Sequence, residues 1–429
     1  MMRYSPIDPQ LFQQNRTDFA NQMQDNSIAI FNSNDIMPTN ADGIMGFKQN
    51  SDLFYLTGID QEETLLMLIK SNKELESILF IKETSPLIKI WEGEKLVPAQ
   101  ATEISGIKNV KWIKELDDQL KKQLSKFNTV YLNKNDHARS SSIVQTRDDR
   151  FGISLRSQYP DTAFLKSSTI LHRLRQVKKS IEIEQIKKAV NITENTYKEI
   201  LPLIKPGKFE FEIEAEITYR FIKNRAGGHA YQPIIASGEN ACVLHYTENN
   251  RKIKDGDLIL MDFGAVYANY NADLTRTVPA NGKYSPRQKA VYNAVLRILK
   301  FASTQLTDGN YFKEYNASVV ELLEKELVDL NLITTEQIKN QQKDNPLYKK
   351  YFMHGLSHSL GIDVHDVDDR SIPFTSGMVF TCEPGIYIPE EGIGVRIEND
   401  LVIDGDKPIN LMKNTPIECE EIEEWMNRK

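Results

Sequence analysis

The chain is short of cysteine: Cys242, Cys382 and Cys419 are the only three among 429 residues. So sparse and odd a set is no disulfide framework, and a reducing compartment, the cytoplasm by default, is expected. A basic surplus is also missing. The formal net charge is -7 at pH 7, which argues against a nucleic-acid partner, because such partners call for a basic face. No apolar run approaches the ~20 residues that cross a bilayer, so no membrane partner is expected. The opening MMRYSPIDPQLFQQNR holds no apolar secretory core. Familiar nucleophile and phosphate motifs are lacking too: there is no G-x-S-x-G elbow, no G-K-[ST] loop and no H-E-x-x-H.

What is present reads as a globular chain of more than one domain, with 40% hydrophobic and 26% charged residues. Short apolar runs at 28–31, 65–69, 78–81 and 130–132 read as buried strands, with a helix-compatible stretch at 113–127, so the first third is a small α/β domain. A basic segment near 166–180 then precedes a strong helix. Its stripe is Ile183, Ile186, Val190, Thr193, Tyr197 and Leu201. The domain boundary is set near residue 170, giving domains 1–170 and 171–429. Residues 209–217 fit either a strand or a helix. Residues 258–264 and 272–278 read as paired strands around a polar turn. Ser285-Pro286 opens a helix as N-cap and first turn, with the stripe Val291, Val295, Ile298, Leu299 and Ala302. Residues 334–350 read as a helix end plus loop, 353–396 as loops and strands, and 417–429 as an acidic tail.

Histidine is uneven. Of seven, His354, His358 and His365 fall within twelve residues, in MHGLSHSLGIDVHD. Neutral imidazole ligates divalent metals and carries protons near neutral pH. Solvated or core-satisfied histidines are the plain alternative, and it fits one of them better than it fits a cluster. Carboxylates add a second signal. Asp262 interrupts the apolar run LILMDFG, and Asp273 follows in the paired segment with Thr275 and Thr277 on its face. A charge rarely sits in a buried strand unless it is paired or holds a metal. Two solvated aspartates on a surface hairpin are the alternative, and the apolar flank of Asp262 argues against it. Glu383 in MVFTCEPG and Glu398 in GVRIEND interrupt strand-like sequence in the same way. Charged edge strands would explain either glutamate alone.

Together these form an oxygen-rich set of four carboxylates and one histidine. It favours Mn²⁺, Fe²⁺, Co²⁺ or Zn²⁺ over a thiolate site. Four carboxylates exceed what one divalent ion needs. Two bridged ions, about 3.5–4 Å apart, would use them all and would lower the pKa of a bridging water. The chemistry expected is metal-assisted hydrolysis without a covalent intermediate.

These residues resemble the pita-bread metallopeptidases, the family of methionine aminopeptidase, prolidase, aminopeptidase P and the metal-free creatinase. The resemblance is carried by MDFGAVYANYNADLTRT, HGLSHSLGIDVHD, CEPGIYI and GIGVRIEND, with the ligand order Asp, Asp, His, Glu, Glu. It extends to GFKQNSDLFYLTGI at 46–59, similar to the N-terminal domain of aminopeptidase P and prolidase, and to HRLRQVKKSIEIEQIKKA at 172–189. The implied fold is an α/β N-terminal domain plus an α+β pita-bread catalytic domain. Within the family, SGENACVLHYTENN and Ser357 before His358 look more like aminopeptidase P than prolidase.

The resemblance implies hydrolysis of the bond before a proline in second position, by a hydroxide bridging two divalent ions, with Mn²⁺ expected. Asp262 would hold one ion, His358 and Glu383 the other, and Asp273 and Glu398 both. Glu383 would accept a proton and His365 would stabilise the carbonyl oxygen. His245 and His354 would line the proline side, Arg396 would support Glu398, and Tyr387 would lie behind the ligands. The family resemblance also implies a helix at 209–217, peptide substrates and a homo-dimer or tetramer. Asp368 stands where the family often has Gly, so the loop 366–373 is expected to differ in shape. Prolidase, with dipeptide substrates, and a non-catalytic binding module are the competing readings.

Overall fold

The computed structural model describes residues 4–342 and 344–428. The chain divides into two units. One is Pro6–Arg175; the other runs from Gln176 onward and takes in Tyr4 and Ser5.

The first unit is built on a six-stranded mixed sheet. In spatial order its strands are Asn109–Trp112, Glu74–Ile81, Leu65–Ser71, Ser27–Asn32, Thr129–Leu132 and Ala163–Lys166. Strand Ser27–Asn32 runs antiparallel to Leu65–Ser71 and parallel to Thr129–Leu132. Every one of its six residues is buried, as expected of a strand covered on both faces. One face packs Ile28, Ile30, Met67, Phe80 and Val130 against Leu120, Leu124 and Leu155. On the other, Phe19 of helix Pro9–Gln22 meets Phe31 edge-on, ring centroids 5.4 Å apart. The apolar runs at 28–31, 65–69, 78–81 and 130–132 all lie in strands. Asn109–Trp112 and Ala163–Lys166, at the two edges, carry no run long enough to announce them.

The second unit holds several small antiparallel sheets and long helices. Strand Leu258–Phe263 lies between Ile234–Ser237 and Leu274–Pro279. A short hairpin, Ala265–Tyr267 with Tyr270–Asn271, separates the two longer strands. Ala268 and Asn269 at its tip have positive φ, the tight twist that two-residue hairpins require. Gly264 is obligatory at the strand end, because a Cβ there would fall 1.7 Å from the Ala272 carbonyl oxygen. Strands Val379–Cys382 and Asn399–Val402 pair antiparallel, and Gly385–Ile388 and Ile393–Arg396 form a second hairpin.

Helix Ser180–Ile200 buries Ile186, Val190, Thr193 and Tyr197. Residues 209–217 open a helix, Glu210–Lys223, in which Ile213, Ile217 and Phe221 are buried and the Glu212 carboxylate accepts from the Phe209 N–H. The helical reading therefore holds over the alternating one. Helix Pro286–Gln305 starts as expected, with Ser285 capping Gln288 and the whole predicted stripe buried. The reading of 417–429 as an acidic tail is corrected. Cys419–Met426 is a helix that buries Cys419, Ile422 and Met426, while Glu418 and Glu420 pair with Lys300 and Lys289.

Candidate metal centre

The strand register gathers the candidate ligands. Asp262 lies opposite Thr275 on the paired strand, and Asp273 is two residues before Thr275, so both carboxylates share one face. The Glu398 N–H donates to the Thr275 carbonyl at 3.1 Å, which places Glu398 beside them. On the other side, His358 and Thr381 exchange hydrogen bonds, and the Glu383 N–H donates to the Leu356 carbonyl at 2.9 Å. Five side chains spread over 137 positions thus meet at one place, Asp262 to Glu398.

Ligand atoms of Asp273, His358 and Glu398 lie within 4.8 Å of one another. His358 Nε2 is 3.5 Å from Asp273 Oδ2 and 3.7 Å from Glu383 Oε1. The His358 Nδ1–H donates to the Ser359 carbonyl at 3.0 Å. That bond fixes the tautomer and leaves Nε2, the nitrogen facing the carboxylates, as the electron-pair donor. Burial pushes the carboxyls of Asp273 and Glu398 well above the usual range, and the neighbouring carboxylates add to it. Glu383 is pushed up to about 7 for the same first reason, burial. Carboxyls so crowded and so dry repel one another until positive charge arrives. The donor set, hard oxygens plus one oriented imidazole nitrogen, fits divalent cations.

Around these candidate ligands lies a polar shell. Arg396 is buried, and its Nη2 donates to Asp262 Oδ2 at 2.6 Å. Its Nη1 donates to the Tyr387 hydroxyl at 2.8 Å and its Nε to Thr275 Oγ1 at 3.2 Å. The direct support expected from Arg396 to Glu398 is therefore corrected. Arg396 grips Asp262, and Glu398 is held by Thr275, whose hydroxyl donates to Oε2 at 2.6 Å. Beyond Arg396, the Tyr387 hydroxyl donates to His354 Nε2 at 2.7 Å, and His354 Nδ1–H donates to the Gly355 carbonyl at 2.8 Å. Burial and the Arg396 charge lower the His354 pKa to about 3, so this ring stays neutral.

His365 is exposed and sits edge-on to the buried His358, centroids 4.4 Å apart. His245 is also exposed and lies near His354. His229 is hydrogen-bonded to Thr218 at 2.8 Å and packed on Phe221.

Two residues escaped the sequence reading. The hydroxyl of half-buried Tyr231 is 2.5 Å from Asp262 Oδ1 and also hydrogen-bonds Asp273. Tyr315, on helix Phe312–Asp329, places its hydroxyl 2.8 Å from Ser357 Oγ and 3.6 Å from Cys382 Sγ, the residues preceding His358 and Glu383. A lone tyrosine outside any motif gives no signal in sequence. Both were found only by what the fold brings to them.

Comparison with known proteins identifies the family. Residues 184–405 match metallopeptidase family M24, and residues 12–131 match the aminopeptidase P N-terminal domain. The chain is 35% identical to Xaa-Pro aminopeptidase of Escherichia coli, covering 98% of each chain. It is 34% identical to the Haemophilus influenzae enzyme of the same name, over 97% of each. The structure superposes on zinc-substituted E. coli aminopeptidase P in complex with product with a TM-score of 0.88, at 34% identity, covering 99% of this chain and 100% of that one. The α/β N-terminal domain and the α+β pita-bread domain are therefore those of this family. The chain belongs to metallopeptidase family M24, in its aminopeptidase P branch.

Proposed function

We propose that this protein is a metal-dependent Xaa-Pro aminopeptidase, which hydrolyses the bond between an N-terminal residue and a following proline. One observation carries the reading above the family likeness: four carboxylates, buried at Asp273 and Glu398 and half-buried at Asp262 and Glu383, and the Nε2 lone pair of His358 converge on one spot, backed by the Arg396–Tyr387–His354 chain.

Asp262 would hold one ion, His358 with Glu383 the other, and Asp273 with Glu398 both. Two ions, Mn²⁺ for preference, suit the four negative charges. When bound, such ions lower the pKa of a coordinated water and polarise the scissile carbonyl. The chain's own side chains do the rest. Glu383, beside His358, would take a proton. His365, exposed at the edge of the centre, would donate to the carbonyl oxygen as charge builds there. His245 and His354 line the proline side, and Tyr387 and Arg396 keep His354 neutral and oriented.

We further infer two domains that meet near residue 170, and a homo-oligomer, dimer or tetramer. Exposed Leu87, Ile90 and Trp91 on helix Pro86–Glu92 support self-association. Cys242, Cys382 and Cys419 are all free, which supports a reducing compartment such as the cytoplasm.

The test is release of free arginine from Arg-Pro-Pro and from Arg-Pro by the Mn²⁺-loaded protein. Cleavage of the tripeptide with little cleavage of the dipeptide is expected. The reverse preference would make it a prolidase with the same centre. Cleavage of neither by metal-loaded protein would refute the substrate assignment.

A further inference from the structure

The ion pair between Lys178 and Asp366 is deeply buried and lies beside the candidate metal centre. Their side chains are 1% and 2% exposed, and Lys178 Nζ is 3.1 Å from Asp366 Oδ2. Asp366 directly follows His365, and Lys178 stands just before helix Ser180–Ile200. A buried pair is weak evidence for stability, because its desolvation offsets most of its attraction. What it supplies is direction.

The pair is fixed from several sides. The Lys178 N–H donates to the Gly377 carbonyl at 2.9 Å, and Val177 bridges to Met378. Asp366 Oδ1 accepts from the Val367 N–H at 3.0 Å, and the Asp366 N–H donates to the Ser359 carbonyl at 2.9 Å. That same carbonyl accepts from His358 Nδ1, and Lys178 Nζ donates to Ser359 Oγ at 3.2 Å. A closed circuit therefore runs His358, Ser359, Asp366, His365, and Lys178 grips it at two points. His365 lies outside helix and strand, with its ring exposed. His358 has a second anchor, its reciprocal bonds to Thr381. Loosening the circuit should thus leave His358 in place.

We infer that the Lys178–Asp366 pair sets the position of the His365 imidazole, which makes both of them positioning residues for the hydrolysis; this rests on the role proposed above for His365. Gly361 offers an independent way to disturb the pair. A Cβ there would fall 2.1 Å from Asp366 Oδ2 and 2.9 Å from Lys178 Cε.

The experiment uses full-length Mn²⁺-loaded enzyme and Arg-Pro-Pro. Single replacement would strand a buried charge, so both are neutralised together in Lys178→Met/Asp366→Asn. Gly361→Ala is the second variant should the first not fold. Each is made with His365 present and with His365→Ala, and bound metal per chain is measured alongside kcat and KM. In the presence of His365, kcat should fall by about 10- to 100-fold, the scale of a misplaced catalytic group, while KM and metal content hold within about twofold. In the His365→Ala background the same changes should cost less than about twofold further, because the group they position is gone. A purely structural role would give equal losses in both backgrounds, and that result would overturn the inference, as would an unchanged kcat or a loss of metal. If His365→Ala alone leaves kcat unchanged, the role of His365 falls first and this inference falls with it, a result distinct from the others.

Discussion

The Thr275 hydroxyl donates to Glu398 Oε2 at 2.6 Å while accepting from Arg396 Nε at 3.2 Å. One threonine therefore passes the hold of a buried arginine to a carboxylate that the arginine does not touch. Thr275→Val keeps the shape and removes the hydroxyl. Supporting groups of this kind are typically worth about 10–100-fold in metal affinity. Competition with a chelator should show a weakening on that scale in the Thr275→Val protein. Wild-type affinity would mean that Glu398 does not need the hydroxyl.

Asp273 sits between Tyr231, His358 and the Asp400 carboxylate that accepts its N–H. Asp273→Ala should abolish both turnover and metal retention, since it removes the carboxylate assigned to both ions. Near-normal turnover would sink that assignment.

His365 contributes no ligand in the proposed centre. His365→Ala should keep the metals and slow turnover, on the order of 10²–10³-fold for an oxyanion donor. An unaltered rate at full metal content would remove it from the reaction.

Chelation gives a test that needs no variant. EDTA should inactivate the protein and Mn²⁺ should restore it, because apposed buried carboxylates retain activity only with their cations. Full activity after long dialysis against EDTA would rule out a dependence on divalent ions.

In the first unit, Asp148 is buried among amides. Its Oδ1 accepts from Asn32 Nδ2 at 2.8 Å, and its Oδ2 from Asn133 and Asn50 at 3.3 and 3.4 Å. Burial raises its pKa to about 6. The folded state thus keeps this proton up to about pH 6, whereas the unfolded chain releases it near 3.8. The stabilisation is full below the lower value and is lost as pH rises through the upper one, a difference of about 2–3 kcal/mol. Asp148→Asn removes the titration. Its melting temperature relative to wild type should therefore rise between about pH 4 and pH 7. Parallel pH–stability curves for the two proteins would clear Asp148 of this role.

Much of this was legible because it is local. Ser285 caps a helix through its own neighbours, and the stripe behind it repeats every three or four residues. The buried strand 27–32 announces itself by an apolar run. The acidic end misled for a local reason too. Glutamates dominate its composition, yet Cys419, Ile422 and Met426 keep helical spacing and are buried, and the charges find Lys289 and Lys300. The segment at 209–217 kept two periods at once, and only packing of Ile213, Ile217 and Phe221 chose between them.

By itself, the sequence determined the chemistry of the site: which carboxylates and histidines interrupt apolar runs, and in what order, is written in the chain and is enough to imply metals and hydrolysis. The tertiary structure alone decided which neighbour serves which ligand. It gave Arg396 to Asp262, Thr275 to Glu398, Tyr231 to two aspartates and Lys178 to Asp366. The reason is physical. A buried charge signals itself wherever it stands, because burial is unfavourable without a partner. The partner can lie anywhere along 429 residues, and only strand register and packing bring the two together.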